Sequence, residues 1–145
     1  MDRIRSAYNV GAFFRTADAL NCCKIYTCGY TPDADNPKVH KTALDAEKFV
    51  PSVHYDSALE AVKDLKAQGI PVYAVELTDD AVPYDAVSYP EQVALVFGNE
   101  IDGVDPEILR IADKVVYIPM KGKKKSLNVA TAGGVVLFKV GNLCQ

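Results

Sequence analysis

The chain has 145 residues, 49% of them apolar and 24% charged, with a formal charge of −3. That is one domain's worth of chain with enough apolar residues for a sizeable core, and its slightly acidic balance excludes a protein that coats nucleic acid indiscriminately, while leaving room for a local basic face. No signal-peptide pattern opens it, and the longest apolar stretch, near the C-terminus, falls short of the roughly 20 residues that a membrane span needs. The expectation is a soluble cytoplasmic protein with no membrane contact. Cys22, Cys23, Cys28 and Cys144 form no C-x-x-C pair, and neither His40 nor His54 stands at ligand spacing from them. Reduced thiols and no metal site are expected.

In chain order, Asn9 is a candidate cap for a helix over 9–21, in which Gly11 and Ala12 allow close packing. "KIYTC" (24–28) reads as a strand. The segment from Thr31 to Pro51, with three prolines and mixed charge, reads as an excursion at the sheet's edge with a helical turn at "ALDAEKF". Ser57 then caps a helix over 57–68, with Glu60 as its capping-box partner and Gly69 as the stop. "IPVYAVEL" (70–77) and "QVALVFG" (92–98) are strands. Asp105, Pro106 and Glu107 open a helix over 105–112, "KVVYIPM" (114–120) is the last strand, and an apolar helix spans 126–141 with Ser126 at its cap.

Short β-branched runs without clean alternation, separated by helices, predict an α/β fold: a parallel sheet flanked by helices on both faces. In such sheets ligands bind beyond the carboxyl ends of the strands. That directs attention to Leu77 and Thr78, to Gly98, Asn99 and Glu100, and to the stretch from Pro119 to Ser126. Gly98 directly after a strand permits close backbone approach. Pro119 ends its strand's hydrogen-bond ladder, and Asn128 falls in the first turn of the last helix. In "NVGAFFRTADAL", a helix start near Asn9 suits an anion, and Arg15 lies on the same helix. Lys121, Lys123, Lys124 and Lys125 crowd around Gly122. They lack the glycine spacing of a phosphate loop, and no G-x-G-x-x-G follows a strand, so nucleoside triphosphatase and dinucleotide-binding readings are set aside.

Taken together and in order, "NxGAxxRTA" (Asn9 to Ala17), "VFGNExxG" (Val96 to Gly103) and "IPM…SLNVA" (Ile118 to Ala130) resemble the three motifs of the SpoU/TrmH family of ribose 2′-O-methyltransferases, in the SPOUT class. The resemblance spans nearly the whole chain and implies a C-terminal deep trefoil knot, which runs against the usual absence of threading. It implies S-adenosylmethionine (AdoMet) as methyl donor, held by Leu77, Thr78, Gly98, Ile118, Met120 and Leu127. A homodimer is implied too, with the active site at the subunit interface. Arg15 would be the central catalytic residue, and Asn9, Glu100, Ser126 and Asn128 would shape the site. Lys121, Lys123, Lys124, Lys125, Arg3 and Arg5 would meet the RNA backbone. The motif begins at residue 9 after a strand stub, "DRIR", so the expectation is a single SpoU-type domain over 1–145 without a separate N-terminal RNA-binding domain. The motifs leave open tRNA or rRNA, with tRNA favoured, and which group takes the 2′-hydroxyl proton. An inactive RNA-binding protein of the same fold is the alternative.

Overall fold

Ser6, and not Asn9, opens the first helix of the computed structural model, which describes residues 1–141; Cys144 lies outside the described residues. The Ser6 hydroxyl accepts the Asn9 N–H at 3.3 Å, and α1 runs Ala7–Ala19. It presents Val10, Phe13, Phe14 and Ala17 to the core, the 3.6-residue stripe of a half-buried helix. Next come β1 (Ile25–Cys28), then α2 (Pro37–Ala43), α3 (Ala46–Phe49) and β2 (Ser52–Tyr55). The excursion is thus more regular than its prolines suggest. Asn36 caps α2 and Pro37 takes the first helical position, the same start signal as Asp105 and Pro106. Leu44 and Asp45 sit at φ 54° and 73°, so the chain breaks there before the single turn of α3.

The remainder follows the α/β alternation: α4 (Ala58–Ala67), β3 (Val72–Val75), the two-residue β4 (Val82–Pro83), β5 (Ala94–Phe97), α5 (Pro106–Ile111), β6 (Lys114–Tyr117) and α6 (Val129–Gly141). Ser57 caps α4 and Asp105 caps α5 through their side chains. Each of these strands is shorter than its apolar run. For β3 the causes are local: Pro71 has no N–H for the ladder, and the chain turns off at Glu76.

All strands pair in parallel, four of them in the order β4-β6-β3-β5 and two as β1-β2. The stub Met1–Arg3 joins the two sets. Asp2 N–H donates to Phe97 O at 2.8 Å in β5, and Arg3 N–H to Cys28 O at 3.2 Å in β1. Both faces are covered, as the unbroken apolar runs require. Tyr73, Val75, Leu95, Phe97 and Val116 face the core under α1, α2, α3 and α6. Their neighbours Val72, Ala74, Ala94, Val96 and Val115 face the one under α4 and α5. Phe13 of α1 meets Phe97 of β5 with ring centroids 5.0 Å apart. Gly133 of α6 is what lets those helices close on that pair, since a Cβ there would stand 2.3 Å from Phe13 Cε1. The described residues contain no helix long and apolar enough to cross a membrane.

Candidate active site

Parallel strands place every carboxyl end on one edge, and a cleft of about 360 Å³ opens there. That volume falls within the range of small-molecule sites. Its walls come from three segments: Val75 to Leu77 after β3, Phe97 to Gly103 after β5, and Tyr117 to Val129 around the turn from β6 into α6. The wall after β5 is a tight turn. Asn99 and Gly103 exchange backbone hydrogen bonds at 3.0 Å each, and the buried Asn99 side chain accepts the N–H groups of Ile101 and Asp102 at 2.8 and 2.9 Å. Gly98 is needed for this turn as much as for any ligand. A Cβ there would lie 2.2 Å from the backbone of Gly103 and Val104.

Three polar side chains from distant parts of the chain meet at the rim. Asn9 donates from Nδ2 to Glu100 Oε1 at 2.9 Å, and Asn128 donates from Nδ2 to Asn9 Oδ1 at 3.1 Å. Glu100 also accepts the N–H groups of Arg5 (3.0 Å) and Ser6 (3.2 Å) at the start of α1. Burial pushes the Glu100 carboxyl up, but the bonds from Arg5 N–H, the Asn9 amide and Ser6 N–H outweigh it and leave the pKa lowered. A carboxylate accepting several N–H groups is held in its charged form. Asn128, not Ser126, caps α6, its Oδ1 accepting Ala130 N–H and Thr131 N–H at 3.0 and 3.2 Å. The cap of the last helix is therefore also a member of the rim network. Ser126 lines the cleft two residues earlier.

Of the other residues singled out in the sequence, Leu77, Gly98, Ile118, Met120 and Leu127 all line the cleft. Thr78 stands outside it, one residue beyond the wall. Lys125 lines it, while Lys121, Lys123 and Lys124 stand exposed on the adjoining loop. Arg3 is drawn the other way, into an ion pair with Asp2 at 3.0 Å and toward Asp105 at 4.0 Å, so its charge is already met. The side chain of Arg5 is exposed. Arg15 is exposed on α1 and does not line the cleft of its own chain. Glu76, which sequence reasoning passes over, lines the cleft beside Leu77; an acid immediately after an apolar run at a strand's carboxyl end is the signal that points to it. Among the described residues no three His, Cys, Asp or Glu side chains are grouped to hold a metal ion.

Known proteins resemble this chain over nearly its whole length. The family model described as SpoU rRNA Methylase family matches residues 1–138. The tRNA (guanosine(18)-2′-O)-methyltransferase of Aquifex aeolicus (strain VF5) is 32% identical over 139 residues, covering 95% of this chain and 65% of the relative. The 23S rRNA (guanosine(2553)-2′-O)-methyltransferase RlmP of Bacillus subtilis (strain 168) is 34% identical over 138 residues, covering 95% of this chain and 55% of the relative. Among solved structures, an AdoMet-bound rRNA methyltransferase from Sinorhizobium meliloti superposes with a TM-score of 0.90 at 30% identity, over 97% of this chain and 54% of that one. The chain thus spans between about half and two thirds of the length of these relatives. With a family match over nearly its whole length and the three motifs gathered at one cleft, the chain belongs to the SpoU rRNA methylase family.

Proposed function

We propose that this chain transfers a methyl group from AdoMet to a ribose 2′-hydroxyl of RNA. The observation that carries the proposal is the rim network of Asn9, Glu100 and Asn128, which brings one polar residue from each motif to the mouth of the cleft. The residues present suit the donor. Leu77, Ile118, Met120 and Leu127 offer apolar surface for an adenine ring, and the wall at Gly98 offers backbone groups. AdoMet supplies a methyl group on a sulfonium, a good leaving group. The protein then has to orient donor and hydroxyl, which is worth about 7–11 kcal/mol, and to manage one proton.

Arg15 is the proposed catalytic residue, reaching the cleft of a second copy in a homodimer. Its exposure on α1, away from its own cleft, supports this division of labour. A guanidinium does not deprotonate in proteins. Arg15 would therefore hold the phosphate beside the target ribose and stabilise the developing alkoxide, while phosphate or water takes the proton. Lys121, Lys123, Lys124 and Lys125, with Arg5, would steer the RNA backbone to the rim. The proposal includes a deep trefoil knot, with the C-terminal segment threaded through a loop. The central position of β6, the last strand in sequence, is in keeping with it. Residues 1–145 would act as one catalytic unit on cytoplasmic RNA, tRNA being the favoured class.

The test is methyl transfer from labelled AdoMet to unmodified tRNA and, separately, to ribosomal RNA, read as nuclease-resistant 2′-O-methylated dinucleotides by mass spectrometry. Label in either fraction is expected. Its absence from both, with AdoMet bound by the protein, would refute catalysis.

A further inference from the structure

Glu76 follows β3 directly, where its own N–H donates to Val116 O of β6 at 2.9 Å. Its side chain reaches across to the turn after β5. Oε2 accepts Val104 N–H at 3.1 Å, and Oε1 accepts Leu77 N–H at 2.9 Å. Gly103, at φ 73°, lies against it: a Cβ there would stand 2.3 Å from Glu76 Oε2. Carboxylate and turn are fitted to one another, and the carboxylate is pinned by two backbone groups from opposite walls of the cleft.

That pinning leaves acceptor capacity unused. A carboxylate offers about four lone-pair positions, and two of them are taken. Glu76 lines the cleft, and among the described residues no lysine, arginine or histidine forms an ion pair with it. A carboxylate fixed in one plane, with an open lone pair on each oxygen, matches two hydroxyls on adjacent carbons. A mobile cation would need no such fixed plane. The position agrees, since Glu76 lines the cleft together with Leu77, Gly98 and Gly103.

We propose that Glu76 holds the ribose diol of the methyl donor, accepting one hydrogen bond from each hydroxyl while strapping the turn after β5 to the end of β3. This rests on the reading of the cleft as the AdoMet site. The test is calorimetric titration of the full chain with AdoMet, S-adenosylhomocysteine and 5′-methylthioadenosine. These three share the ribose; the second lacks the sulfonium charge, and the third lacks the amino acid as well. Glu76→Gln should weaken all three by a similar factor, roughly tenfold, and raise the KM for AdoMet by that factor while leaving kcat at saturating donor nearly unchanged. Glu76→Asp, which keeps the charge but withdraws it by one methylene, should weaken all three as well and serves if the Gln variant melts early. A loss that spares methylthioadenosine would assign Glu76 to the amino acid or the sulfonium and overturn the diol assignment. Unchanged binding of all three would leave Glu76 a strap only and overturn it too. Failure of the unmodified protein to bind any of the three would instead sink the reading of the cleft itself.

Discussion

Asn128 has two jobs that one pair of substitutions can separate. Its Oδ1 caps α6 by accepting the N–H groups of Ala130 and Thr131, and its Nδ2 donates to Asn9 Oδ1. Asn128→Ala removes both. The lost cap costs about 1 kcal/mol, and the exposed bond to Asn9 adds a few tenths of a kcal/mol. For a 145-residue chain that lowers the melting temperature by about 3–5 °C. Asn128→Asp keeps an oxygen at the cap, and a carboxylate at a helix N-terminus gains about 0.3–1 kcal/mol. It loses the donor, however, and sets a carboxylate against Asn9 Oδ1, with Glu100 just beyond. Its stability should therefore stay within about 0.5 kcal/mol of the unmodified protein, the two effects offsetting. Methyl transfer should nevertheless fall by about a hundredfold, the scale of an ångström-sized misplacement at a reacting centre. Thermal melts and single-turnover methylation of the same preparations make the comparison. If the Asp variant melts as early as the Ala variant, the cap assignment is wrong. If it methylates at full rate, the bond between Asn9 and Asn128 has no part in the site.

Three other outcomes follow from the same geometry. Glu100 has a folded pKa below its ordinary value of 4.5 despite the upward push of burial, so its hydrogen bonds stabilise the fold above that value, and the contribution is lost as pH falls through the folded pKa. Urea midpoints of the unmodified protein and Glu100→Gln should therefore converge on acidification below about 4.5; a constant difference from pH 6 to 3 would show that the carboxylate's charge is immaterial. Arg15→Ala should abolish transfer with stability changed by less than about 0.5 kcal/mol, as for other surface substitutions. Mixed with Asn128→Asp, it should recover about a quarter of normal activity through hybrid dimers that carry one intact site, and no recovery would refute a site shared between copies. Replacing Lys123 and Lys124 with alanine should flatten the salt dependence of RNA binding by about 0.7 in log–log slope for each phosphate no longer neutralised, measured by filter binding; an unchanged slope would leave these lysines as solvated loop.

The helix starts explain what can and cannot be read in the sequence. Asn9 and Ser126 are both reasonable caps, being short polar residues at the edge of an apolar helix, yet the structure caps with Ser6 and Asn128. Periodicity cannot choose between neighbouring candidates, because the choice depends on what else each residue meets. Asn9 is committed to Glu100, 91 positions away, and Asn128 reaches Asn9 across 119. Those separations carry no local signal, and only the order of three motifs hints that the residues converge. The same holds for Glu76, whose partner Val104 lies 28 positions on. By contrast, α1, α4, α5 and the strands β1, β3, β5 and β6 are readable because each answers to a rule acting within a few residues: an apolar stripe, a cap followed by proline, or a β-branched run. The strand β2 escapes because it is exposed or half-buried along its whole length and presents no buried apolar run. α2 does carry a local signal, Asn36 followed by Pro37, which the surrounding prolines obscure. The local rules thus recover the scaffold that sets the strand ends side by side. The candidate site consists of the contacts between those ends, and for that reason it is the part that a one-dimensional reading can name by residue but not connect.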